Sequence, residues 1–473
     1  MTATTSTSRI DASCRLPLFT LFGGAATWLV LSSVFSLVAS LKFHAPAMFA
    51  DQAWLSYGRA YPAWSHLLVY GFCVPAGLGV CLWLLARLGQ VELARPLLIT
   101  FFAKLWHLGV LVGLIAILAG QTTGYEWFEL PRYAAVILFI AFVMITVWAF
   151  VTYSQRTVEA LYPSQWFILA ALFWFPWIFS TATLLLQFFP VRGVVQAAVN
   201  WWYVGNLLNV WLTLVGLASA FYLLPKLTGR PLHSYYLALF AFLTVILFGT
   251  WTGIPNHAAL PAWMPALSSA ASLLSLIPAL AVATIVILTG RGTPVSRNGG
   301  PLCFTKLGAW ALVLATVLLA LSTSPGVARV TDYTWFTHGQ TSLRIYGFFG
   351  MTMLGAIYHI LPHVVGTNRI AAGRMRINFW LFMVGTVIFA LPLMAGGIAQ
   401  GLKLANPDVA FLDAAKAAMM GFRLSTLGEL LLLAANLVFL FNIVSAIVSY
   451  YRVLCRSAYE EATEQLEPVG VKP

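Results

Sequence analysis

Long apolar runs separated by short polar connections fill this chain from end to end. A helix that crosses a bilayer needs about 20 mostly apolar residues, and a scan on that criterion finds about twelve runs. They cover roughly 17–41, 62–85, 96–119, 133–153, 165–188, 201–224, 234–252, 264–288, 307–321, 335–361, 378–399 and 427–450. The pattern predicts an all-α polytopic membrane protein, with a single helical membrane domain over 17–452 between short tails at 1–16 and 453–473. The second tail is acidic, with Glu460, Glu461, Glu464 and Glu467. The polar first residues lead into an apolar run that is too long for a signal peptide and has no small-residue cleavage site after it, so it reads as a retained anchor. No internal repeat or low-complexity segment interrupts the series.

Composition narrows the function classes. Of 473 residues, 60% are hydrophobic and 8% charged, against about 25% charged in soluble domains, which excludes a water-soluble enzyme. The net charge of +12 sits on basic residues scattered singly between apolar runs, which excludes a phosphate-tracking nucleic-acid surface. An even number of spans puts both termini on one side. That side and its loops carry about 16 Lys and Arg against about 8 opposite, so the termini are expected in the cytoplasm. The count includes Arg9, Arg15, Arg87, Arg95, Arg297, Arg369 and Lys472. Cys14, Cys73, Cys81, Cys303 and Cys455 show no metal-type spacing and read as small hydrophobes.

The chemistry-bearing residues are few. Most loop tryptophans, Trp127 among them, read as headgroup-level belt residues. Of eight histidines, His44, His233 and His257 fall in loops or at a span edge, and His107 lies mid-span with Lys104 as its ionisable neighbour. His359 and His363, spaced i, i+4, share a helix face and form a candidate metal pair. Lys104 and Arg344 are charges inside spans, where charge is costly and marks a functional or snorkelling residue.

Several stretches resemble subunit I of the haem-copper oxidases, nearest the cbb-type cytochrome oxidase, with nitric oxide reductase a close relative. They are Tyr125-Glu126-Trp127-Phe128-Glu129-Leu130-Pro131, Asn200-Trp201-Trp202-Tyr203, Tyr222-Leu223-Leu224-Pro225-Lys226, Ser234-Tyr235-Tyr236 and Gly355-Ala356-Ile357-Tyr358-His359-Ile360-Leu361-Pro362. The resemblance implies a low-spin haem between two histidines, a high-spin haem on one and a copper on three. At the positions it implies, this chain carries Trp64, Gln340 and Ser342 for the haem ligands, and Gly205, Pro255 and Asn256 for the copper ligands. His66 and His338 stand two residues from Trp64 and Gln340. Because two residues turn a helix by about 200°, both are expected to point away from the pockets. His66, His107 and His338 are the fallback haem ligands.

Three functions compete on these residues. The first is a subunit I-like protein of a bacterial inner-membrane respiratory complex, without cofactor and non-catalytic, beside cytochrome-bearing subunits. The second is an active oxidase or nitric oxide reductase holding haem b, with copper or iron, on shifted ligands. The third is a proton or solute pathway built on Lys104, Glu126, Glu129 and Arg344. If Arg344 fills a structural role in an emptied pocket, Arg344→Leu is expected to destabilise the bundle by several kcal/mol, since its partners lose their hydrogen bonds.

Overall fold

A computed structural model describes residues 2–291, 300–366 and 370–466. Arg297, Arg369, Glu467 and Lys472 lie outside the described residues. The chain folds as a helical bundle: α1 (Thr2–Leu41), α2 (Tyr57–Gly89), α3 (Pro96–Leu118), α4 (Arg132–Ser154), α5 (Pro163–Phe188) and α6 (Val195–Thr228), then α7 (Tyr235–Gly249), α8 (Trp263–Gly290), α9 (Pro301–Ser322), α10 (Trp335–Val365), α11 (Ala372–Leu404) and α12 (Met419–Leu466). Among the described residues eleven helices are long and apolar enough to cross a membrane, and the run at 234–252 forms the shorter α7 of 15 residues. Helices dominate because lipid offers no partner for backbone N–H and C=O groups, which each helix satisfies internally. Pro96, Pro163 and Pro301 open their helices where a missing N–H costs nothing. Gly366, at φ +78°, ends α10 in the left-handed conformation.

The stretches expected as tails are largely helical. α1 begins at Thr2, and Asp11 in its first third accepts hydrogen bonds from Trp83 Nε1 (2.9 Å) and Arg87 (3.1 Å). α12 continues past Arg452 as an exposed helix. The two terminal helices run antiparallel. Arg15 donates to Tyr450 near one end of the pair, while Ser40 and Thr426 share a hydrogen bond at the other. Both ends of the chain therefore leave from the same end of the bundle.

Burial sorts the helices into an inner and an outer group. The central windows of α2, α6 and α10 are 100%, 89% and 83% buried, against 39–50% for the other long spans. These three inner helices carry Trp64, Gly205, and Gln340 with Ser342, and each contains a π-helical stretch: Leu67–Cys73, Asn206–Trp211 and Leu343–Gly350. Such wider turns shift the facing of the residues around them and recur at functional sites.

Candidate functional site

Two faces of α10 look onto different surroundings. On the first, Trp64 of α2 is 2% exposed, and its indole N–H donates to the Tyr346 hydroxyl at 3.1 Å. Tyr61, Trp127 and His338 surround it with ring centroids 5.1, 5.4 and 5.3 Å away. The space left beside these rings is about 30 Å³, enough for about one or two waters. Trp127 is therefore buried (3% exposed) and not a headgroup-belt residue. It takes a left-handed backbone, φ +62°, and Glu129 holds it there. The Glu129 carboxylate accepts from the Trp127 N–H at 3.1 Å and from Ser65 at 2.8 Å, while its second oxygen is buried without a partner. Burial outweighs these hydrogen bonds and pushes the Glu129 carboxyl up to about 8.

The facing of His338 differs from the sequence expectation. Its imidazole accepts or donates at 3.2 Å with the Tyr61 hydroxyl and packs against Trp64, so it looks into the low-spin position and not away from it. The reason is its spacing. His338 lies two residues from Gln340 but four from Ser342 and eight from Tyr346, and residues four apart share a helix face. Ser342 itself is buried and donates back to the His338 carbonyl at 2.8 Å. His66 does point away: its Nε2 bonds the Val110 carbonyl at 3.0 Å, and the ring fills the notch at Gly113 of α3. His107 accepts from Trp28 Nε1 at 3.0 Å and bonds the Thr20 carbonyl at 3.1 Å, nested against Gly24. Both pack against glycine notches, and the Nδ1 of His66 stays buried without a hydrogen-bond partner.

The second face of α10 borders a cavity of about 520 Å³. Gln340, Arg344, Gly205, Pro255 and Asn256 all line it, so the structure brings together the positions implied for high-spin haem and copper. Gly205 has no room for any side chain, since a Cβ there would meet the Thr252 carbonyl oxygen at 2.1 Å. Gln340 donates to the Ala315 carbonyl at 3.4 Å, and Asn256 to the Thr323 carbonyl at 3.0 Å. Glu126, exposed, lies at the mouth with Asp332, which pairs with His257 at 2.9 Å. Arg344 is deep inside and 6% exposed.

Lys104 belongs to neither face. It is exposed on the outside of α3, where a lysine stem lies along the apolar surface and carries its ammonium toward the headgroups. His359 and His363 stand with ring centroids 5.0 Å apart beside Trp83, and no third ligand joins them: among the described residues no group of three or more His, Cys, Asp or Glu comes together. The apolar-run reading passed over Glu429 in α12, a buried carboxylate that accepts from Ser36 at 2.9 Å and reaches the small space beside His338. A single carboxylate inside an apolar run was the available signal.

The donor set does not fit the metal groups that the resemblance implies. The indole of Trp64 occupies the low-spin position, and the void left beside it is far below the size of a porphyrin. One of three copper positions is a glycine in backbone contact, and Pro255 and Asn256 offer no imidazole.

Residues 18–431 match the family described as Cytochrome C and Quinol oxidase polypeptide I. The chain is 28% identical to the Cbb3-type cytochrome c oxidase subunit CcoN1 of Stutzerimonas stutzeri over 84% of this chain and 87% of that one. It is 24% identical to a cytochrome c oxidase subunit 1 homolog of Azorhizobium caulinodans, covering 89% of this chain and 79% of the relative. With cytochrome c oxidase subunit 1 of Rhodobacter capsulatus it shares 23% identity over 88% and 82%. A match over most of the chain, on a bundle whose three inner helices carry four of the six implied ligand positions, places this protein in the cytochrome c and quinol oxidase polypeptide I family.

Proposed function

We infer that this chain is a subunit I-like component of a bacterial respiratory membrane complex that holds neither haem nor copper and does no redox chemistry itself. The observation that carries the reading is the closed low-spin position, where the Trp64 indole is hydrogen-bonded to Tyr346 and ringed by Tyr61, Trp127 and His338. Fold alone does not carry activity once the site residues are replaced. The relatives' names describe oxidase subunits, which supports assembly with other subunits, cytochrome-bearing ones first. The excess of Lys and Arg on the side of the termini supports cytoplasmic termini in the inner membrane.

The test is a visible spectrum of the purified protein, oxidised and dithionite-reduced, with iron and copper analysis on the same sample. The reading expects a chain free of both metals that co-purifies with a cytochrome-bearing partner. Reduced haem b bands with near-stoichiometric iron on the isolated chain would overturn it in favour of an active oxidase or nitric oxide reductase with His338 as a ligand.

A further inference from the structure

The cavity of about 520 Å³ is open at one end and carries a fixed cation at the other. Its mouth is formed by the loops after α3, α7 and α9, at the end of the bundle opposite the termini. Arg344 follows Trp335, the first residue of α10, by nine positions, which places it about 14 Å along the helix at 1.5 Å per residue. That depth is near the middle of a hydrocarbon layer about 30 Å thick.

Arg344 is poorly matched by the protein. No described carboxylate lies within ion-pair distance of it. Among the described residues it makes one hydrogen bond, a long one, to the Thr316 hydroxyl at 3.4 Å. A guanidinium carries five N–H donors that cannot be lost by deprotonation, and a buried charge is costly unless something pairs with it. The neighbouring cavity wall offers neutral hydrogen-bonding groups in Gln340, Thr341, Asn209 and Ser272. The two carboxylates that face the cavity, Glu126 and Asp332, sit at the mouth and not at the floor, and Asp332 is already paired with His257.

We propose that this cavity binds a small oxyanion with two oxygens on one planar centre, entering from the end opposite the termini and held bidentately by Arg344. The guanidinium fork matches a carboxylate-like pair of oxygens and not a spherical halide. The cavity volume lies within the range of small-molecule sites, roughly 300–1,000 Å³. The proposal rests on the cavity being free of haem and copper.

The experiment is a thermal-melting titration of the purified chain with its co-purifying subunits in lipid nanodiscs. Sodium acetate, sodium nitrate and sodium chloride are compared at constant ionic strength, with metal analysis on the isolated chain. A saturable rise in melting temperature with acetate or nitrate, absent with chloride, is expected. A response to acetate alone identifies organic carboxylates, and one to nitrate alone identifies inorganic oxyanions. Arg344→Gln abolishes the response and Arg344→Lys raises the half-saturating concentration by about tenfold. If Arg344→Gln fails to fold, Thr341→Phe narrows the cavity without touching the charge and also loses the response. No anion response from a wild-type complex whose isolated chain is free of iron and copper overturns this proposal while leaving the proposed function intact. A response that survives both Arg344→Gln and Thr341→Phe overturns it as well. Iron or copper bound to the isolated chain overturns the proposed function and this proposal together.

Discussion

The two faces of α10 differ in how much space their side chains leave. On the α2 side, Trp64 and its ring of aromatics leave about 30 Å³, while on the α6 side Gln340 and Arg344 leave about 520 Å³. An apolar void forfeits dispersion contacts along its whole lining, whereas a polar one can hold water or a ligand. The difference teaches where to look for function: a space filled by tryptophan leaves no room for a ligand, and a cavity bordered by an arginine without an ion-pair partner among the described residues is where a ligand would fit.

The largest test of that contrast is Trp64→Ala. It removes the plug from the closed face and is expected to lower stability by about 3–5 kcal/mol, seen as a drop in melting temperature in detergent. A neutral result would break the comparison, because the aromatic ring would then not be what closes that side. Next in size is Gly205→Ala. Its Cβ would meet the Thr252 carbonyl, and overpacking against backbone is expected to cost about 1–3 kcal/mol. Unchanged melting would mean that the 250–254 connection yields easily and that this wall of the open cavity is soft.

Glu129 sharpens the closed side, since it pins Trp127 over Trp64. Its carboxyl is pushed up to about 8 by burial, so the folded state favours the protonated form. That contribution is fully present below the unfolded pKa near 4.5 and is lost as pH rises through about 8. Melting temperature should therefore fall between about pH 5 and pH 8 and level off above that, and Glu129→Gln should flatten that slope. A slope unchanged in Glu129→Gln would assign the titration elsewhere.

The smallest expected effect is Arg344→Leu. With one long hydrogen bond and no ion pair among the described residues, Arg344 leaves few partners unpaired when removed, so stability should change by less than about 1 kcal/mol. This replaces the expectation of several kcal/mol drawn from the sequence, which supposed a bonded network around the guanidinium. A large loss in equilibrium unfolding would show that Arg344 is structural and that the two faces are alike after all.

Much of the site was legible before the fold was known. Gln340, Gly205, Pro255 and Asn256, singled out in the sequence, line one cavity, and Trp64 is buried against Tyr346. His338, Lys104, Trp127 and Glu429 were not legible in the same way. Each depends on which way a helix or loop is turned, and hydropathy along a run of twenty apolar residues carries little rotational information. His338 stands two residues from Gln340, which suggests the opposite face, but it shares its face with Ser342 and Tyr346 four and eight residues on. Trp127 lies in a loop between spans, where a surface ring is expected, and the left-handed turn at that residue folds it inward.

By itself the sequence determined the all-helical bundle and the order and approximate limits of its spans, because a bilayer accepts only chain segments that satisfy their own backbone and are long enough to cross. The replacement of the implied ligands was equally a matter of residue identity. The tertiary structure alone decided that α2, α6 and α10 form the centre, that Lys104 faces outward, that His338 faces Trp64, and that Arg344 borders an open cavity with no ion-pair partner among the described residues. Those outcomes are set by helix rotation and packing against neighbours, which depend on contacts between segments far apart in the chain.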